Sequence, residues 1–164
     1  MPDRRTAHVL ITGLSGVGKS SVLAVLSGQG FPVADTDYDG LSRSDDSGGW
    51  VWDLDRVAEL LDRHETIFIS GTAPNWRPLL PRFDHVVLLS APEETMLSRL
   101  ADRTNNPYGQ TAEQRSEAVA YKDSVEPLLR RIATIEIDTR PPLHEVVAAV
   151  LDHVGLGVDR PTTR

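Results

Sequence analysis

His8-Val9-Leu10-Ile11-Thr12-Gly13-Leu14-Ser15-Gly16-Val17-Gly18-Lys19-Ser20 is the stretch that decides the fold of this 164-residue chain. Its first five residues form an apolar, β-branched run that ends at a glycine, the pattern of a buried parallel strand. Residues 18–27 carry Val22, Leu23 and Leu26 at helical spacing, and Gly28 or Gly30 ends that helix. Between strand and helix the chain matches G-x-x-x-x-G-K-[ST], with Gly13, Gly18, Lys19 and Ser20 at the fixed positions. Glycines let such a loop turn its amides inward. The amides of Gly13, Leu14, Ser15, Gly16, Val17, Gly18, Lys19, Ser20 and Ser21, with the helix N-terminus, then make an anion nest. Lys19 sets a point charge on the outer phosphates, and Ser20 offers a hydroxyl to Mg²⁺. The ordinary alternative is a glycine-rich turn without a ligand. Four fixed positions arise by chance in a chain of this length less than about one time in a hundred. A strand before the motif and a helix after it fit the nucleotide reading, with ATP and Mg²⁺ as the expected ligands.

The pattern repeats outward from this unit. Phe31 to Ala34, Thr66 to Ile69, His85 to Leu89 and Thr134 to Ile137 are short apolar runs that predict four further strands. Leu54, Val57, Ala58 and Leu61 predict a helix over about 52–63. Ser90-Ala91-Pro92-Glu93 has the form of a capping box before a helix that carries Met96, Leu97 and Leu100. One more helix runs from about 112 toward Pro127, and another covers 142–154. Strands alternating with helices predict an α/β fold: a parallel sheet with helices on both faces, in three layers. Residues 35–49, rich in Asp, Ser and Gly, read as a loop, as do 70–81 and 104–111. The ends, 1–6 and 156–164, read as loose tails on one domain spanning 1–164.

Composition bounds the partners. The formal net charge of −7 argues against nucleic acid as the main partner, which wants a basic face. The absence of cysteine excludes disulfides and thiolate metal sites. Met1 to Ala7 is polar, and no run reaches membrane-spanning length, so a cytoplasmic protein with no membrane partner is expected. Oligomeric state is not readable from the pattern. Only Lys19 and Lys122 are lysines, and one of them sits in the phosphate loop.

Around the loop, the chain resembles the small nucleoside-monophosphate kinase and shikimate kinase-like group of P-loop proteins, which includes the relatives of adenylate kinase. The resemblance runs from the first strand to the last helix. It implies a five-stranded sheet in the order 2-3-1-4-5 and phosphoryl transfer from ATP to a small acceptor. Asp35-Thr36-Asp37 is similar to the Asp-x-Asp of the shikimate kinase-like branch. By that resemblance Asp35 helps hold Mg²⁺ with Ser20, and Asp37 contacts the acceptor hydroxyl and takes its proton. The plain alternative is an acidic turn, since Asp39, Asp45 and Asp46 lie nearby. The usual Walker-B aspartate is missing, because the third strand runs into Ser70-Gly71-Thr72 and the fourth into Ser90. Gly71 sits where that branch lines its acceptor pocket.

Arg99 and Arg103 are four residues apart and share a helix face. The resemblance assigns them to the adenine ring and the phosphates, with Arg103 stabilising charge during transfer and 104–111 as a short lid. A solvated charged face is the alternative. Arg140, in the loop 138–142 after the last strand, is a further candidate at the adenine side. Regions 38–53 and 72–82 hold all three tryptophans. Trp52 is expected in the core, whereas Trp50, Trp76, Arg43 and Arg77 are candidates for an acceptor wall. The acceptor-binding arginines and the three consecutive glycines of true shikimate kinases are not matched. A kinase acting on a small molecule or nucleotide is the leading reading. A nucleotide-dependent assembly or regulatory ATPase with a protein partner is the alternative, and a polynucleotide end kinase is the weakest.

Overall fold

Strand β1 (Ala7–Thr12) is central because both of its faces are apolar: Val9, Leu10 and Ile11 are each 0% exposed. In the computed structural model, which describes residues 6–102 and 110–157, the elements follow in chain order. Helix α1 (Lys19–Gly28) and β2 (Val33–Asp35) come first, then a hairpin of β3 (Ser42–Ser44) and β4 (Trp50–Trp52). Next are α2 (Leu54–Arg63), β5 (Thr66–Ser70), β6 (His85–Ser90) and α3 (Glu93–Asp102). Then come α4 (Ala112–Ser124), α5 (Glu126–Ile132), β7 (Ile135–Asp138) and α6 (Leu143–Val154). The parallel sheet has the order β2-β5-β1-β6-β7. With the hairpin left out this is the expected 2-3-1-4-5.

Alternation along the strands builds two cores. Val9, Ile11 and Phe68 face α1 and α6 and pack with Leu26, Val147 and Val150. Leu10, Ile67 and Ile69 face the other way, into a cluster with Trp52, Val57 and Leu61. Each such side chain contributes about 1.5–3 kcal/mol on burial. No described helix is long and apolar enough to cross a membrane.

The structure departs from the sequence expectation in three places. Residues 35–49 are not all loop, because β3 and β4 pair antiparallel with Ser42 opposite Trp52 and Ser44 opposite Trp50. Asp45 holds the turn, its carboxylate accepting from the Ser47 hydroxyl and from the Ser47 and Gly49 amides. Those bonds keep the Asp45 carboxyl below its ordinary pKa, the Ser47 hydroxyl leading. Trp52 ends the hairpin and is buried as expected. Its amide and carbonyl are both bonded by the Asn75 side chain, and its ring meets Trp76 edge to face at 5.8 Å. Second, Ser90 is no cap for α3: it closes β6 and gives its hydroxyl to Glu136 at 2.8 Å. Third, Leu156 is not a loose end, since it packs on the core after Gly155 closes α6 in the left-handed conformation.

Register then sets up the site. Ile11 pairs with Ser70, Asp35 with Ser70, and Ser90 with Asp138. Polar residues therefore gather where the parallel strands end, the edge at which open α/β sheets bind ligands.

Candidate functional site

The phosphate loop leaves β1 at Thr12 and enters α1 at Lys19. Gly16, at a variable position of the pattern, is required here by its surroundings. Its φ is +87°, and a Cβ there would stand 2.8 Å from the Met96 carbonyl oxygen, so any side chain would push the loop off α3. Lys19 folds back on its own loop, the ammonium donating to the carbonyls of Gly13 at 2.8 Å and Leu14 at 2.9 Å. Gly13 and Leu14 are buried. Ser15 to Ser21 line a cavity of about 510 Å³.

Asp35 and Asp37 meet this loop from β2. The Ser20 hydroxyl donates to Asp35 Oδ2 at 2.9 Å, while Asp35 Oδ1 accepts the Asp37 amide at 3.0 Å. The Asp35 amide in turn donates to Asp39 at 2.7 Å, which tightens the turn. Asp37 is exposed and lines the same cavity as the loop. Between the carboxylates, Thr36 is buried at 1% and donates its amide to Ser70. Gly71, with φ +146°, lies so close that a Cβ would land on the Thr36 hydroxyl. The junction of β2 and β5 thus requires a glycine there. Thr12 and Thr72 join hydroxyls at 2.8 Å beneath the loop.

The far wall comes from α3 and from the segment after β7. Arg99 lines the cavity, and its guanidinium donates to the Val17 carbonyl, the Thr139 hydroxyl and the Thr139 carbonyl. Pro141, Leu143 and Val146 make the cavity apolar at this end. Sequence reading missed Leu143, Val146, Tyr38 and Asp102, all of which line the cavity. The two apolar residues were legible as an apolar first turn of α6 just after the 138–142 loop.

Other expected site residues fall elsewhere. Arg140 is exposed and pairs with Asp138 at 2.6 Å, beside a separate depression shared with Lys122, Glu126 and Arg130. That guanidinium holds the Asp138 carboxyl below the usual carboxylate range. Arg43, Trp50, Gly71, Trp76 and Arg77 do not line the cavity at the phosphate loop. Trp50 is 55% exposed on the hairpin, Arg43 and Arg77 are exposed, and Trp76 is half-buried between the two cores. Arg103 and the lid positions 104–109 lie outside the described residues. Among the described residues, no group of three or more acidic or histidine side chains converges as a metal cage.

Strand order and phosphate loop together define a nucleotide-binding protein with the P-loop kinase-like fold. The chain belongs to the family described as AAA domain, whose model matches residues 9–120. A nucleotide-binding protein of Sorangium cellulosum (strain So ce56) is 33% identical over 158 residues, covering 89% of this chain and 43% of that protein. A shikimate kinase of Halorhodospira halophila (strain DSM 244 / SL1) is 28% identical over 154 residues, covering 83% of this chain and 86% of that one. Among solved structures, the shikimate kinase from Acinetobacter baumannii in complex with shikimate superposes with a TM-score of 0.67 at 21% identity, covering 91% and 93% of the two chains. The chain spans less than half the length of the first curated relatives it matches.

Proposed function

We propose that the chain is a kinase that transfers the γ-phosphoryl group of ATP, bound with Mg²⁺, to the hydroxyl of a small-molecule or nucleotide acceptor. The observation that carries the reading is the contact of Ser20 with Asp35, with Asp37 in the same turn and on the nucleotide cavity. Magnesium sites use one or two carboxylates, retained waters and the phosphates themselves. Ser20 and Asp35 are such a set of hard oxygens, and β5 and β6 end in Ser70 and Ser90 rather than carboxylates. When bound, the ion neutralises phosphate charge.

The chain's own groups supply positioning and electrostatics. Loop amides cradle the phosphates, and Lys19 adds a positive charge at the outer ones. Asp37 accepts the acceptor's hydroxyl proton. The acceptor oxygen bonds to the γ-phosphorus as the bond to the β–γ bridging oxygen breaks, leaving ADP. Arg103 belongs to this proposal as a stabiliser of transferring charge, residues 104–111 as the lid, and Arg99 with Arg140 on the adenine side. Arg43, Trp50, Gly71, Trp76 and Arg77 remain the acceptor-side candidates. The likeness to shikimate kinases supports a hydroxyl acceptor, and a cytoplasmic location fits these substrates. The test is incubation with MgATP and a panel of nucleoside monophosphates, sugars and hydroxy acids, read by mass spectrometry. A phosphorylated acceptor is expected. Free phosphate across the whole panel, at a rate no acceptor raises, would replace the kinase with a regulatory ATPase.

A further inference from the structure

Thr139 follows β7 directly and is 6% exposed. All its polar atoms are engaged. Its amide and its hydroxyl both donate to the Ser90 carbonyl, at 2.9 and 3.3 Å. Its hydroxyl accepts from Arg99 Nη1 at 2.7 Å, and its carbonyl accepts from Nη2 at 2.6 Å. Arg99 Nη1 has one more hydrogen, and it goes to the Val17 carbonyl at 3.1 Å. A hydroxyl that donates once and accepts once is fully compatible with this pattern. A planar guanidinium held at three N–H groups has one orientation.

The two ends of this connection do different jobs. Val17 belongs to the loop whose amides suit phosphates. Pro141, Leu143 and Val146, just beyond Thr139, line the apolar end of the same cavity. A nucleotide with its phosphates on the amides leaves its flat base to the apolar end.

The geometry points to Thr139 as a positioning residue that acts through Arg99 to couple the base end of the cavity to the phosphate loop. Contact of a base with the segment after β7 then holds the Val17 carbonyl, and with it the loop, in place for the phosphates. A brace that only joined β7 to α3 would lack this dependence on the base. The inference rests on nucleotide binding and not on the acceptor.

Calorimetric titration with ATP and with inorganic tripolyphosphate separates the possibilities. Thr139→Val keeps the branched shape and loses the hydroxyl. It should weaken ATP binding about 10-fold, the effect of one charge-assisted hydrogen bond, and tripolyphosphate binding less than about 2-fold. Thr139→Ser should restore the wild-type ratio of the two affinities. On an Arg99→Lys background, Thr139→Val should change that ratio no further. A Thr139→Val ratio equal to wild type, with both affinities kept or both lowered together, overturns the coupling and leaves a brace. If Thr139→Val does not fold, Thr139→Ala, which also removes the hydroxyl, decides in its place; an unchanged ratio again overturns it. Wild-type protein that binds no ATP would instead remove the nucleotide reading beneath it.

Discussion

Asp35 and Glu126 are carboxylates held in opposite ways. Asp35 is half-buried, and its oxygens meet neutral donors, a serine hydroxyl and a backbone amide. Glu126 is 5% exposed, and its Oε1 meets two cations, Lys122 at 3.0 Å and Arg130 at 3.2 Å. The two lysines also meet different groups. Lys19 rests on loop carbonyls, whereas Lys122 joins Glu126 and the Ala91 carbonyl. Neutral partners orient a charge without cancelling it, so the Asp35 carboxylate stays able to attract a cation. Opposite charges paired in a poorly solvated place brace the fold instead, and here they tie α4 and α5 to the exit of β6. A charged cluster is therefore read by what its charges already face.

Lys19→Ala should give the largest effect on the binding side of this contrast. A unit charge about 4 Å from a phosphate near the surface is worth roughly 4 kcal/mol, so ATP affinity should fall about 10³-fold. The melting temperature should stay near wild type. Calorimetry with ATP checks the first and a thermal scan the second; unchanged affinity would put the triphosphate elsewhere. Asp37→Asn comes next. It keeps size and hydrogen bonding but cannot take a proton, so transfer should fall about 10²-fold while ATP affinity holds within about twofold. Normal transfer by this variant would move the base to another residue.

The binding half of the contrast was legible in sequence because it is local. Thirteen residues, His8 to Ser20, carry strand, turn, charge and helix in a fixed order. The five parallel strands were legible for the same reason, as apolar runs between breakers. The hairpin was not, because β3 and β4 have three residues each and depend on Asp45 and on Asn75, 23 positions from Trp52. Ser90 and Glu93 had the spacing of a cap, yet Ser90 turned to Glu136, 46 positions away. The pairing of Arg140 with Asp138, two residues earlier, was not legible either. Position along the chain does not say which of several acceptors wins a guanidinium. That depends on contacts the fold supplies later, as Thr139 does for Arg99.

Lys122→Met tests the bracing side. The methionine keeps most of the stem and leaves Glu126 without its nearer cation. Loss of hydrogen bonds to a buried charged group should cost about 2 kcal/mol in chemical denaturation. ATP affinity should not move. A fall in affinity of tenfold or more, without loss of stability, would break the contrast and make the cluster part of the nucleotide site.

The smallest expected effect concerns the outer pair. The Arg130 guanidinium, donating to Glu136 at 2.6 Å, is the main reason the Glu136 carboxyl lies below its ordinary value, and the Ser90 hydroxyl adds to it. A carboxyl depressed in the folded state binds fewer protons there than in the unfolded chain. Its contribution is therefore complete above the ordinary carboxylate value and disappears as pH falls through that value to the lowered one. Arg130 and Glu136 are 49% and 34% exposed, so solvent screens the pair and under about 1 kcal/mol is at stake. Arg130→Gln should lower the melting temperature slightly near about pH 6, and the difference from wild type should shrink by about pH 3. A difference of equal size at both pH values would show that Glu136 gains nothing from Arg130 as a charge. The brace would then be Glu126 with Lys122 alone, and the contrast with Asp35 would rest on that single buried carboxylate.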